Sequence, residues 1–196
     1  MFRPGAKPET AAPKAATWRK AVARHAYPLL DKLSPRLAAE AAKRIGPDRG
    51  NVWKMIMWSP GMAEAFIDFN DAVRYRTSLS DSLRELIILR VGHLCDAPYE
   101  LHHHTRISRE IGMSEALIAA PKTGASAPGL DATQRLALSL TDDLVKTQRA
   151  SDENMAGAIK TFGESGLNEI VMLVGCYVMA CMLLRTWGVE IERPVG

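Results

Sequence analysis

Five residues between positions 85 and 104 have the types and spacing to move protons. Glu85 lies in the run SDSLRELIILRVGHLC, whose apolar residues at 83, 86, 87, 88, 89, 91 and 94 cover most of a helical circumference. A helix apolar on nearly all sides is buried on nearly all sides. Glu85 shares an azimuth with Ile88, Leu89 and Gly92, so its carboxylate faces packed protein, and Gly92 admits a second helix. Burial favours the neutral acid unless a cation or donors answer it. Arg84, Arg90 or an arginine from elsewhere could form a plain buried ion pair there. In the next run, DAPYELHHHTRISREIG, the wheel gathers Ala97, Glu100, Leu101, His104, Ile107, Ser108 and Ile111 within an arc of about 120°. Glu100 and His104 therefore point inward, one turn apart and within reach of each other. Tyr99 and His103 form a second such pair at the edge of the arc. A carboxylate beside an imidazole is the equipment of general acid–base catalysis.

Three successive histidines also suggest a metal. His102, His103 and His104 fan over about 200° of the helix, however, and cannot converge on one ion. Glu100 and His104 could still supply two ligands, with Glu85 completing a site. A histidine and a glutamate satisfied in the core is the bland alternative.

The elements that must position these groups are all helices. Apolar residues recur at three- and four-residue spacing almost throughout, and alternating β-branched runs are absent. Ser34-Pro35 opens a helix that Gly46-Pro47 closes. A short segment around Asn51 to Trp58 and a longer helix from about Gly61 to Arg76 follow, and Ser80 caps the Glu85 helix. Asp96 and Pro98 restart the chain as the His104 helix, which Gly112 ends. Ser114 caps a short helix, Pro121 to Gly129 reads as a loop, Asp131 opens a helix to about Lys146, and Ser151 caps one ending near Gly163. The last helix runs from about Leu167 to Trp187. No internal repeat, glycine-rich phosphate loop or dividing linker is present, so one domain over 17–196 is expected, behind a proline-bearing leader at 1–16.

With 196 residues, 47% hydrophobic and 24% charged, the chain is long enough for a sizeable core, and wholesale disorder is excluded. Its net charge of +3 is concentrated at the start. Arg3, Lys7, Lys14, Arg19, Lys20 and Arg24 against Glu9 leave the remainder slightly acidic. A nucleic-acid partner, which needs cations clustered on an ordered face, is not expected. Neither is a membrane: the uncharged stretch Ile170 to Leu184 is only about 22 Å long as a helix. Cys95, Cys176 and Cys181 cannot pair completely and lie in apolar helical patterns, which fits a reducing, cytoplasmic setting. Cys95 reads as unpaired, and Cys176 and Cys181 as core residues.

Glu85, Tyr99-Glu100, His104 and Gly112, in the pattern E-x13-YE-x3-H-x7-G, resemble the carboxymuconolactone decarboxylase family, which includes the alkylhydroperoxidase D-like proteins. Asn51-Val52-Trp53, Ser59-Pro60 and Gly175-Cys176-Tyr177 extend the resemblance over about 50–190. It implies an all-α, alkylhydroperoxidase D-like helical bundle that assembles as a homo-oligomer, a trimer or hexamer, with the apolar last helix at the interface. The peroxidase-type members carry a Cys-x-x-Cys pair where this chain has Ala97 and Glu100. Without those thiols, dithiol peroxidase chemistry there lacks its reagent, and Glu100 is what the decarboxylase-like branch shows. The implied chemistry is cofactor-free and metal-free: a lyase releasing carbon dioxide from a small carboxylated lactone or aromatic-derived acid. His104, held by Glu100, is then the proton donor, with Glu85 as partner base or relay, Tyr99 or His103 as donor to the enolate oxygen, and Arg90 as the cation binding the substrate anion. A peroxide- or thiol-linked oxidoreductase and a non-catalytic binding protein are the alternatives.

Overall fold

The computed structural model describes residues 23–47 and 49–192, and the expected leader at 1–16 lies outside them. Among the described residues eight helices follow one another: α1 (Pro35–Arg44), α2 (Asn51–Ile56), α3 (Pro60–Tyr75), α4 (Asp81–Leu94), α5 (Pro98–Glu110), α6 (Glu115–Thr123), α7 (Ala132–Thr147) and α8 (Asp152–Trp187). Among the described residues the sole extended pairing is an isolated bridge between Gly46 and Arg49.

Local chemistry fixes where these helices begin. The side chains of Ser34, Ser80, Ser114, Asp131 and Ser151 each accept a hydrogen bond from a backbone N–H in the first turn, satisfying a donor that helix geometry leaves free. At Asp131 the cap is reciprocal, because the Gln134 side chain bonds back to the Asp131 N–H. The expected loop from Pro121 starts late: α6 runs through Pro121 to Thr123, and Gly124, with φ 93°, ends it. The expected break near Gly163 is present, although the two segments run into one another. Gly163, at φ 69° and ψ 175°, interrupts the helical backbone within α8.

α4 is the axis of the fold, touching α5, α6, α7 and α8. Every residue from Leu83 to Gly92 is buried, as its all-round apolar pattern requires. Gly92 is where α5 crosses, since a Cβ there would stand 2.9 Å from Leu101 Cδ2. The main core joins Leu86, Ile87, Leu138, Leu140, Ile170 and Leu173, while Leu37, Ala63 and Ile67 form a smaller cluster under α1–α3.

By length and composition α8 could cross a membrane; the 15-residue uncharged stretch understated it. Its inner side is nevertheless occupied, with Ile170, Leu173, Cys176, Tyr177 and Cys181 buried in the bundle. Val171, Met172, Met179 and Met182 line its outer side and are exposed.

Candidate active site

The Gly92 crossing sets α5 against α4 so that Glu85 and His104 meet. His104 Nδ1 lies 2.5 Å from Glu85 Oε2, and its Nε2 lies 3.2 Å from Glu100 Oε2 one turn away. Both ring nitrogens thus face carboxylates, an arrangement satisfied by the imidazolium, which donates from both. The edge of the Tyr177 ring closes the third side, with centroids 5.1 Å apart. Burial alone would strip the proton from His104, but the charges of Glu85 and Glu100 and their hydrogen bonds outweigh it and lift its pKa to about 9. For Glu85, burial pushes the pKa up, yet His104, with help from Arg74 and Arg84, holds it below the ordinary carboxylate value. Among the described residues its second oxygen, Oε1, accepts no hydrogen bond, and Arg84 Nε lies 4.0 Å from it.

A cavity of about 160 Å³ opens in front of this triad. Glu100, His104 and Tyr177 form one wall, Arg74 and Asn70 of α3 another, and Val52, Trp53 and Phe66 an apolar rim. Glu85 is fully buried and stands behind His104, outside the cavity lining. It can set the charge state and orientation of the imidazole but does not meet a ligand. The volume is close to that of a cavity of about 150 Å³ known to hold benzene, so the space suits one small ring.

Three expected roles are revised. Arg90 does not reach the cavity. Its guanidinium grips Asp142 through two bonds of 2.5 and 2.8 Å and donates to the carbonyls of Pro121 and Lys122, tying α4 to α6 and α7. Asp142, half-buried and 52 positions away, takes the guanidinium instead. Tyr99 and His103 do line the cavity, but their polar atoms are committed to the C-terminal strand of chain. Tyr99 Oη donates to Glu192 Oε1 at 2.8 Å, and His103 Nε2 bonds Glu192 Oε2 at 2.8 Å. Glu192 also accepts from the backbone N–H of Asn51 at the start of α2, 2.6 Å away. Burial would raise its pKa, but those hydrogen bonds hold it down at about 2. Tyr99 is pushed well above its ordinary value by burial and by the Glu192 charge, so it is a poor donor to an enolate. The three histidines diverge as their spacing implied: His104 meets the two glutamates, His103 meets Glu192 and His102 is exposed.

Arg74 is the residue that the sequence did not mark. It lines the cavity, its charge reaches both Glu85 and Glu100, and its Nε is buried with no hydrogen-bond partner among the described residues. Arg44, also at the cavity, is already engaged by Glu40, Asp71 and the face of Trp53.

Residues 60–143 match the carboxymuconolactone decarboxylase family. That span contains Arg74, Glu85, Glu100 and His104. Among solved structures, the fold is similar to the alkylhydroperoxidase AhpD core of an uncharacterized peroxidase-related protein from Ralstonia eutropha. The TM-score is 0.75 at 16% identity, over 87% of this chain and 93% of that one. An uncharacterized peroxidase-related protein from Silicibacter gives 0.74 at 17% identity, over 86% and 91%. A protein of unknown function from Agrobacterium tumefaciens gives 0.65 at 20% identity, over 71% and 95%. At such identities the likeness is one of fold. No curated protein matches by sequence.

Proposed function

We propose that the protein is a cofactor-free, decarboxylase-like lyase acting on a small carboxylated ring, an unsaturated lactone or an aromatic-derived acid. The observation that carries this reading is the buried Glu85–His104–Glu100 relay fronting a ring-sized cavity with Arg74 on an adjoining wall. In such a reaction the bond from ring carbon to carboxylate breaks, carbon dioxide leaves, and the electron pair passes into the conjugated carbonyl as an enolate. Arg74, with an unanswered buried N–H, supplies the cation for the substrate's anionic charge. The His104–Glu100 pair returns a proton to carbon from the cavity wall, and Glu85 behind it keeps the imidazole charged. Solvent then restores the proton to the pair.

The named relatives favour a second reading, because two of the similar structures are described as peroxidase-related. Against it stand Ala97 and Glu100 at the positions of the Cys-x-x-Cys pair. A non-catalytic binding protein would hold small acids in the same cavity without turning them over. The exposed Val171, Met172, Met179 and Met182 on α8 continue into an apolar groove of about 430 Å³ lined by Trp58, Met62 and Phe69. This surface supports a homo-oligomer. Screening small lactone and aromatic acids for carbon dioxide release tests the lyase reading. Turnover lost in His104→Ala supports it, while binding without turnover across the panel favours the non-catalytic reading.

A further inference from the structure

With Tyr99 and His103 held by Glu192, the enolate oxygen of the lyase reaction needs another donor, and α3 carries one. Its buried residues are Ala63, Ile67, Val73 and Asn70, three apolar side chains and one carboxamide. Asn70 is 6% exposed and lines the cavity one helical turn before Arg74, so the two side chains share the α3 wall. A carboxamide taken out of water needs partners for its oxygen and for both of its N–H groups. Asn70 has one such partner: Nδ2 donates to Sγ of Cys176 on α8 at 3.7 Å. Sulfur is a weak acceptor, and among the described residues the second N–H and Oδ1 make no hydrogen bond. Cys176 is buried and stands outside the cavity lining, behind the carboxamide. Its contact fixes the rotation of the Asn70 side chain, and the polar groups left over are those that a molecule in the cavity can satisfy. Elsewhere around the cavity, Arg44 is taken by Glu40 and Asp71, Glu100 and His104 take each other, and the Tyr177 ring edge stands against the imidazole.

We propose that Asn70 reads a carbonyl on the ring of the bound acid and thereby sets the specificity of the cavity. It donates from Nδ2 to the carbonyl oxygen of the bound acid and to the same oxygen as it becomes an enolate, while Arg74 answers the anionic charge from the next turn of α3. A ring acid without that carbonyl leaves the buried amide unanswered and is rejected for that reason. The donor to oxygen and the donor of the proton then stand on different walls, Asn70 on α3 and the His104–Glu100 pair on α5. Oxygen is held by hydrogen bonding, and the proton is delivered to carbon. This inference rests on the lyase reading for its place in the reaction, but carbonyl recognition is measurable without turnover.

The test is calorimetric or NMR titration at neutral pH with cyclopentanecarboxylate and with its 3-oxo derivative, two acids of one ring size that differ in a single carbonyl. The full-length wild type, Asn70→Leu, Asn70→Ala and Arg74→Met are compared. The wild type should prefer the keto acid by about tenfold, the value of one buried hydrogen bond. Asn70→Leu, which keeps the shape of the side chain, and Asn70→Ala should each abolish the preference, and one folded variant of the two decides the matter. Arg74→Met should weaken both acids alike and keep the preference. On a turned-over lactone acid, Asn70→Leu should lower kcat about 10²-fold and raise KM by less, because the donor counts most when charge sits on the oxygen. Equal affinity of the wild type for the two acids, no binding of either, or a preference that survives in a folded Asn70 variant would each overturn the proposal. Carbon dioxide release without the keto preference would leave the lyase reading standing alone. A keto preference abolished in the Asn70 variants, with no carbon dioxide released from any acid, would sink the lyase reading and keep Asn70 as the carbonyl-reading residue.

Discussion

Replacing Glu85 with glutamine keeps the shape of the side chain and removes the charge that does most to hold His104 protonated. His104 is buried, and its pKa of about 9 stands above the ordinary value of 6.5. At about 1.4 kcal/mol per pH unit that elevation is worth roughly 3 kcal/mol of preference for the imidazolium. It is the surplus of two carboxylates over the cost of burial, and Glu85 contributes the largest favourable part. With Glu100 alone at 3.2 Å, burial should prevail and the ring should become neutral below pH 7. The assay is an NMR titration of isotopically labelled histidine in the wild type and Glu85→Gln, with His104→Ala assigning the signal. The wild-type midpoint should lie near 9 and the variant's below 7. On a turned-over substrate, the alkaline limb of the kcat profile should move down with it. At neutral pH kcat should fall about 10²–10³-fold, within the range for loss of a positioned general acid. A midpoint still near 9 in Glu85→Gln would refute the reasoning, whatever happened to the rate.

Further outcomes follow from the same geometry. His104 is raised on folding, so its stabilising contribution is complete below about pH 6.5 and is lost as pH rises through about 9. Glu85 is depressed, so its contribution is present above its ordinary value near 4.5 and is lost at more acidic pH; thermal unfolding across pH 3–10 should show both limbs, and the alkaline limb should vanish in His104→Ala. Arg74→Met should raise KM for an anionic substrate about 10–100-fold, the loss of a charge-assisted bond worth roughly 1.5–3 kcal/mol, with Arg74→Lys intermediate. Arg90→Met should lower stability by roughly 2–3 kcal/mol, since two carbonyls lose their donor and Asp142 is left with Lys146 alone, yet leave kcat of the folded protein unchanged. Met179→Glu with Met182→Glu should reduce the assembly size in light scattering if α8 forms the proposed interface.

The helices and their starts were legible because caps are local. A serine or aspartate and the N–H it satisfies lie three residues apart, so Ser34, Ser80, Ser114, Asp131 and Ser151 could be identified without knowing the fold. The Glu100–His104 pair was legible for the same reason, and Glu85 because a carboxylate inside an all-round apolar helix must find a partner. What the spacing left hidden were several partners distant in sequence. Tyr99 and His103 share a face as expected, but nothing in their spacing announces Glu192, some 90 positions away. Nothing in the spacing around Arg90 reveals Asp142. Arg74 carries no local signal, since an arginine near the end of an amphipathic helix is usually solvated.

In the proposed lyase the Glu85–His104–Glu100 relay delivers a proton during carbon dioxide loss from a small ring acid. The most direct measurement is carbon dioxide release from a panel of unsaturated lactone and aromatic-derived acids, by the wild type and by folded His104→Ala of unchanged oligomeric size. The account predicts turnover of at least one acid by the wild type and a loss of about 100-fold or more in the variant. Equal rates in the two proteins would contradict it.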